Sequence, residues 1–194
     1  MVHIGFKIKV LALVAAAALM ASAAGAAAGA AAPAATEDTG SEFGVITPKV
    51  RVEAPAFTLT DVEGEERSLE EFRGKLVLLN FWGTWCAPCR REMPALEKLW
   101  KEFGESGLVV VGVAGDRGRK GMQKVKEFRD THSLTFPLLL DSEGDARKDY
   151  EIMALPTSYL IGRDGKFLGK ILGEKEWDGE EAKELIIELL NRAP

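Results

Sequence analysis

Cysteine is nearly absent from this chain: of 194 residues only two are cysteines, Cys86 and Cys89. Two cysteines cannot build a disulfide-dense scaffold, and a pair this close closes no long loop that would restrain the unfolded chain. Histidine is equally scarce, with His3 near the start and His132 standing alone. A structural zinc normally takes four ligands, and with no second cysteine pair the donors are missing. Positive charge is also in deficit. The formal net charge is −5, and setting aside the first 35 residues, charged only at Lys7 and Lys9, leaves 23 basic against 30 acidic side chains. That balance argues against a nucleic-acid partner. No internal repeat is present. What remains, 46% hydrophobic and 28% charged, is ordinary globular composition sufficient for one buried core.

Charge is missing altogether between Val10 and Ala35. Lys7 and Lys9 precede an apolar run from Val10 to Met20, then small residues to Ala35 with A-x-A-like sites such as Ala21-Ser22-Ala23. This is the layout of a secretory signal peptide. The same span is long enough to cross a bilayer as an uncleaved N-terminal membrane anchor, although much of it is weakly hydrophobic Ala and Gly. No cysteine precedes Cys86, which excludes a lipid-modified N-terminal cysteine. Either reading exports the rest of the chain, to the periplasm or to an anchored extracytoplasmic position. Residues 36–50, with Gly40, Gly44, Pro48 and no apolar period, read as a flexible linker, and residues 51–194 as the folded domain.

Within that domain strand and helix patterns alternate. Ala56 to Thr60 is a short strand, Asp61 to Glu66 a turn around Gly64, and Ser68 caps a brief helical turn to Phe72. Leu76 to Trp82 is nearly continuous in apolar residues, interrupted only by Asn80, as a strand buried on both faces would be. From Pro88 to Phe103 the residues Met93, Leu96, Leu99, Trp100 and Phe103 recur at helical spacing. Leu108 to Val113 is a second buried strand, Lys120 to His132 a second helix, Phe136 to Leu140 a strand and Asp145 to Tyr150 a short helix. Ser158 to Ile161 and Phe167 to Leu172 pair as a hairpin around Asp164-Gly165, and Asp178 is the expected cap of a last helix, Glu180 to Arg192. The sum is an α/β fold: a central mixed sheet with helices on both faces.

The cysteines follow a buried strand and open a helix, so Cys86 should meet the unpaired N–H groups of the first turn, which favour thiolate. Thiolate is the attacking species in disulfide exchange. Cys86 is therefore the candidate nucleophile. Cys89, one turn on, is within bonding reach and is the candidate resolving thiol. Pro88 suits the first turn, where its missing N–H costs nothing. Arg90 and Arg91 would add positive potential, or simply be solvated on the helix face. A passive disulfide and half of a zinc site are the bland alternatives for the pair.

The run Phe81-Trp82-Gly83-Thr84-Trp85-Cys86-Ala87-Pro88-Cys89-Arg90 resembles the thioredoxin superfamily, specifically its exported TlpA/ResA-like branch. The resemblance spans about residues 52 to 192 and includes Ala54-Pro55-Ala56-Phe57-Thr58-Leu59, Gly74 to Trp82, and Leu155-Pro156-Thr157-Ser158-Tyr159-Leu160-Ile161 followed by Asp164-Gly165-Lys166. It implies a thioredoxin fold with an N-terminal extension and a central insertion, the latter matched by Thr135 to Leu155. It implies a cis peptide before Pro156, with Leu155 and Pro156 facing the cysteines and binding substrate. On residues alone, Trp82 and Trp85 are candidates for the substrate-facing surface around the cysteines, although a tryptophan after a buried strand is as often core packing. The resemblance implies that Glu92 tunes thiol ionisation, although on residues alone Glu92 is one more charge on the first turns of a helix. Cytosolic members carry a buried aspartate where this chain has Asn80, so any assisting carboxylate must lie elsewhere.

Without a histidine in the Ala87-Pro88 dipeptide, the pair resembles reducing rather than strongly oxidising members. The expectation is a monomeric protein-disulfide reductase needing neither metal nor other cofactor. Its implied partners are a protein disulfide substrate and a membrane electron donor, and cytochrome c maturation is the implied task. Two other functions compete. A peroxiredoxin-like thiol peroxidase shares the Ala54 to Leu59 opening, but its motif needs threonine three residues before the cysteine, and Thr84 is two before Cys86. A copper metallochaperone needs C-x-x-x-C, one residue more than this spacing.

Overall fold

The structure, a computed structural model, describes residues 43–192. The expected signal or anchor segment lies outside them. Among the described residues no helix is long and apolar enough to cross a membrane.

The elements in chain order are β1 (Thr58–Asp61), β2 (Glu66–Ser68), a 3-10 turn (Leu69–Phe72), β3 (Leu76–Trp82), α1 (Ala87–Phe103), β4 (Leu108–Ala114), α2 (Gly121–His132), β5 (Leu138–Leu140), α3 (Asp145–Asp149), β6 (Thr157–Ile161), β7 (Phe167–Leu172) and α4 (Glu180–Asn191). The strands form one sheet in the order β2-β1-β5-β4-β3-β6-β7. β3, β4 and β5 run parallel, while β6 returns antiparallel to β3 with Asn80 opposite Ser158. Every residue of β3 and β4 is buried, which explains their almost unbroken apolar runs.

Alternation along β3 divides the core. Leu76, Leu78 and Trp82 join Met93, Leu96 and Leu99 of α1, Val125 and Phe128 of α2, and Leu185, Ile186 and Leu189 of α4. Val77, Leu79 and Phe81 face the other way, onto Phe72 of the 3-10 turn, Ala146 of α3 and the ring cluster of Tyr150 and Tyr159. Helices thus cover both faces. The expected insertion, Thr135 to Leu155, supplies β5, inserted between β1 and β4, and α3.

Three details differ from the sequence reading. β2 was not expected: Glu66-Arg67-Ser68 has no apolar period, and it pairs as an edge strand against β1. Asp178 does not cap α4. Gly179 occupies that position without a side-chain bond, and the Asp178 carboxylate instead accepts from Lys98 Nζ at 2.7 Å. Finally, the part of the expected linker that is described, residues 43–50, packs on the domain. Phe43 is buried edge-on against Trp177 with ring centroids 5.1 Å apart, and Ile46 exchanges backbone hydrogen bonds with Lys170 at 2.8 and 3.0 Å. Gly169 permits this approach, since a Cβ there would stand 2.2 Å from Val45 Cγ1.

Close packing also explains Gly112 in the middle of β4. A Cβ there would meet Leu138 Cδ2 at 2.6 Å and the indole nitrogen of Trp82 at 3.1 Å. Gly112→Ala is expected to destabilise the fold by about 1–3 kcal/mol, as overpacked cores do. Urea unfolding checks this. An unchanged midpoint would mean that these side chains yield freely.

Candidate active site at the start of helix α1

β3 delivers the chain to the loop Gly83-Thr84-Trp85, and Cys86 is the N-cap residue of α1, with φ −89° and ψ 107°. Its N–H donates to Gly83 O at 3.0 Å, and its carbonyl accepts from Arg90 N at 3.1 Å, the first bond of the helix ladder. Its sulfur accepts from Cys89 N at 3.3 Å. A side-chain acceptor at this position is what a helix start requires, and here a sulfur provides it. When the pair is reduced, the same N–H and the helix dipole stabilise negative charge on Cys86.

The two sulfurs are joined in a disulfide, S–S 2.08 Å. Cys86 keeps 6% of its surface exposed and Cys89 keeps none. An incoming sulfur therefore reaches Cys86 first. The loop carrying it is fixed by Asp116, whose carboxylate accepts the Thr84 N–H at 2.9 Å and the Thr84 hydroxyl at 2.5 Å. Asp116 escaped the sequence reading. It follows β4 at the C-terminal edge of the parallel strands, where α/β sites gather, and that position is the signal that could have found it.

The peptide bond Leu155–Pro156 is cis. Thr157, which follows, pairs with Phe81, so Pro156 sits at the end of the sheet from which the cysteine loop departs. Trp85 is 64% exposed, whereas Trp82 is wholly buried against Phe128 and belongs to the core. The two arginines after Cys89 differ as well. Arg91 is bound by Glu174 through bonds of 2.9 and 2.5 Å and contributes little net charge, while Arg90 is exposed.

Glu92 is not an exposed helix charge. It lies one turn beyond Cys89 and is 2% exposed. Its Oε1 accepts from Asn80 Nδ2 at 2.8 Å, and its Oε2 accepts from the Lys175 N–H and from Trp177 Nε1, both at 3.1 Å. Burial pushes its pKa up to about 7, against the pull of those three donors. Asn80 Nδ2 also donates to Ser158 Oγ at 2.9 Å, while Asn80 Oδ1 is buried without a partner. The sequence pointed to Asn80 and Glu92 but not to Lys175, Trp177 or Ser158, which tertiary packing brings from distant elements.

A buried disulfide at a helix N-cap, a cis-proline at the start of the strand beside β3 and a buried carboxylate three residues beyond Cys89 are now in place. Residues 50–168 match the model of the AhpC/TSA family. The chain belongs to the AhpC/TSA family. Among curated relatives of this family member, the thioredoxin-like protein YneN of Bacillus subtilis is 48% identical over 113 residues, covering 58% of this chain and 65% of YneN. The thiol-disulfide oxidoreductase ResA of Bacillus thuringiensis is 42% identical over 123 residues, covering 63% of this chain and 69% of ResA. The aligned part is thus close to two thirds of each relative. Among solved structures, the thioredoxin domain of a thiol-disulfide oxidoreductase from Bacteroides vulgatus superposes with TM-score 0.63 at 29% identity, covering 72% of this chain and 96% of that one. A thiol:disulfide interchange protein from Chlorobium tepidum gives 0.62 at 25% identity, covering 74% and 99%. The AhpC/TSA chain described here has the thioredoxin fold, and its site is that of a thiol-disulfide oxidoreductase.

Proposed function

We propose that this chain reduces protein disulfides outside the cytoplasm by cycling Cys86 and Cys89 between dithiol and disulfide. The observation that carries this reading is the Cys86 sulfur, set at the N-cap of α1 with a backbone N–H aimed at it and its partner sulfur sealed behind it. The Cys86 thiolate attacks one sulfur of the substrate disulfide, forming a mixed disulfide and releasing the other sulfur as thiolate. Cys89, deprotonated in turn, attacks Cys86, restores the internal disulfide and releases the second substrate thiol. Two electrons pass to the substrate and two protons follow. Glu92, holding or releasing a proton near pH 7 behind Cys89, tunes the ionisation of the thiols. Trp85, Leu155 and Pro156 form the surface on which the substrate chain lies.

A dithiol partner must return the electrons, and a membrane electron donor is the partner the TlpA/ResA resemblance supplies, with cytochrome c maturation as the task. The uncharged span from Val10 to Ala35 supports export, as a cleaved signal peptide or as an anchor. The reducing direction rests on the dipeptide between the sulfurs: Ala87 and Pro88 include no histidine, so the pair resembles reducing rather than strongly oxidising members. The reduction potential, read from equilibration with a dithiol buffer, is expected near −200 mV or below; a value near the strong-oxidant figure of about −120 mV would overturn the direction of flow.

A thiol peroxidase is the second reading that AhpC/TSA membership favours. Against it, the Thr84 hydroxyl is committed to Asp116, and Cys86 has a resolving partner three residues away.

A further inference from the structure

Next to Trp85, the residue before Cys86, runs an open groove of about 440 Å³ lined by Trp85, Gly115, Asp116, Arg117, Lys124 and Arg147. Its position follows from the backbone. Gly115 N donates to Trp82 O at 2.8 Å, and Asp116 holds Thr84, so the chain after β4 is pinned to the loop that carries Trp85 and Cys86. Arg117 is the next residue. Any substrate segment that reaches Cys86 past the exposed Trp85 indole lies within range of this wall.

The wall is cationic in an acidic protein. Residues 117–126 contain Arg117, Arg119, Lys120, Lys124 and Lys126 and no acid. Among the described residues none of these five forms an ion pair. Arg147 adds a guanidinium from α3. It lies against Gly115, where a Cβ would meet its Nη1 at 2.5 Å, so glycine is what allows the side chain to lie over that strand end. Arg117 and Arg147 both approach Gly144, with their Nη2 atoms 2.9 and 3.1 Å from a Cβ placed there, so two like charges face each other across it. Of the nearby carboxylates, the buried Asp116 and Asp141 are already engaged, while Glu143 and Asp145, on either side of Gly144, are exposed. Asp116 is 2% exposed and spends both oxygens on Thr84. Asp141, 3.4 Å from Arg147 Nε, accepts the backbone N–H groups of Gly144, Ala146 and Arg147.

Arg147 is paired with Asp141, whereas Arg117 and Lys124 form no ion pair among the described residues, and a guanidinium there matches the fork of a carboxylate. We infer that this groove receives an acidic stretch of the substrate protein adjoining its disulfide, so that the enzyme selects disulfides flanked by Asp and Glu. The inference rests on the disulfide-reductase reading and names its substrate class. Electrostatic complementarity of this kind acts mainly on the encounter rate and fades as salt screens it.

The test uses the chain in its dithiol form in single turnover, with peptides that share one intramolecular disulfide and differ only in flanks of Glu-Asp-Glu or Ser-Ser-Ser. The acidic peptide is expected to react about tenfold faster than the neutral one at 20 mM salt, a preference that shrinks to about twofold or less at 300 mM. In the Arg117→Ser/Lys124→Ser variant the ratio is expected to fall below about threefold at 20 mM salt, because Arg117 and Lys124 are the two lining cations without an ion pair among the described residues. Lys75→Ser/Lys166→Ser removes the same charge from the opposite end of the sheet and should keep the wild-type ratio. Equal rates for the two peptides, or a ratio unchanged in the Arg117/Lys124 variant, would overturn the groove. So would an equal gain for a low-mass dicarboxylate disulfide, because a free anion rather than a flanking segment would then be the ligand. Failure of the wild-type dithiol to reduce even the neutral peptide would instead sink the reductase reading on which the groove depends.

Discussion

Replacing Cys89 with serine is expected to stop the enzyme halfway, with the substrate chain covalently fixed to Cys86; replacing Cys86 is expected to remove all exchange. The asymmetry follows from geometry. Cys86 is the sulfur with exposed surface and the one that a backbone N–H addresses, so it alone can make the first attack. Cys89 is sealed and acts only inward, on the mixed disulfide that Cys86 has formed. A serine at position 86 is a poor nucleophile at neutral pH and has no general base prepared for it, so turnover should fall to the level of buffer. A serine at position 89 leaves the attacking thiol intact and removes the escape route. Non-reducing electrophoresis followed by mass spectrometry of the adduct distinguishes the cases. An adduct on Cys89 in the Cys86→Ser chain would invert the assigned roles. A Cys89→Ser chain whose Cys86 is alkylated readily, captures no protein and consumes peroxide would replace the reductase with the peroxidase.

Much of this was legible in the amino-acid sequence because burial writes itself there most directly. β3 is buried along its whole length, so Leu76 to Trp82 is apolar apart from the hydrogen-bonded Asn80, and its observed bounds are those read from the sequence. α1 covers the sheet with one face, and its three- and four-residue apolar spacing follows. The cysteine motif then fell on the strand-to-helix junction. Edge and terminal features left weaker traces. β2 is three polar residues whose strand character comes only from pairing with β1, and Asp178 has the right chemistry for a cap but is drawn to Lys98 from another helix. Phe43 fell inside the stretch read as a linker because its partner, Trp177, is distant in sequence. The site divides in the same way. Residues within the motif could be named, whereas the groups that hold it, Asp116 beneath the loop and Trp177 and Lys175 on Glu92, converge only in the folded chain. Glu92 itself could be suspected but not placed, since an exposed and a buried glutamate read alike on a helix.

Glu92 should make the protein less stable as pH rises, the reverse of the usual behaviour of a paired carboxylate. Its ordinary value of 4.5 is lifted to about 7 in the fold because the cost of burying the anion outweighs three donated hydrogen bonds. A raised carboxyl pKa means that the folded state prefers the protonated form. The associated stability is complete below about pH 4.5, declines as pH rises, and is gone above about 7. At about 1.4 kcal/mol per unit, the loss over that window is about 3 kcal/mol. Asn80 suits this titration. When Glu92 is ionised its amide N–H₂ donates to Oε1, and when Oε1 carries a proton a half-turn of the amide offers Oδ1, the atom now without a partner, to both that proton and the Ser158 hydroxyl. An aspartate at position 80 would instead set two buried anions against each other. Glu92→Gln is neutral at every pH, so urea unfolding of the disulfide form should show the wild type losing about 3 kcal/mol more than the variant between pH 4.5 and pH 8. The thiols supply a second readout that a merely structural role would not move. Above pH 7 the Glu92 anion opposes a thiolate one turn away, so Glu92→Gln should shift the alkylation profile of the reduced pair toward lower pH. Parallel stability curves for the two proteins would show that Glu92 titrates at its ordinary value. An unmoved alkylation profile would disconnect it from the cysteines.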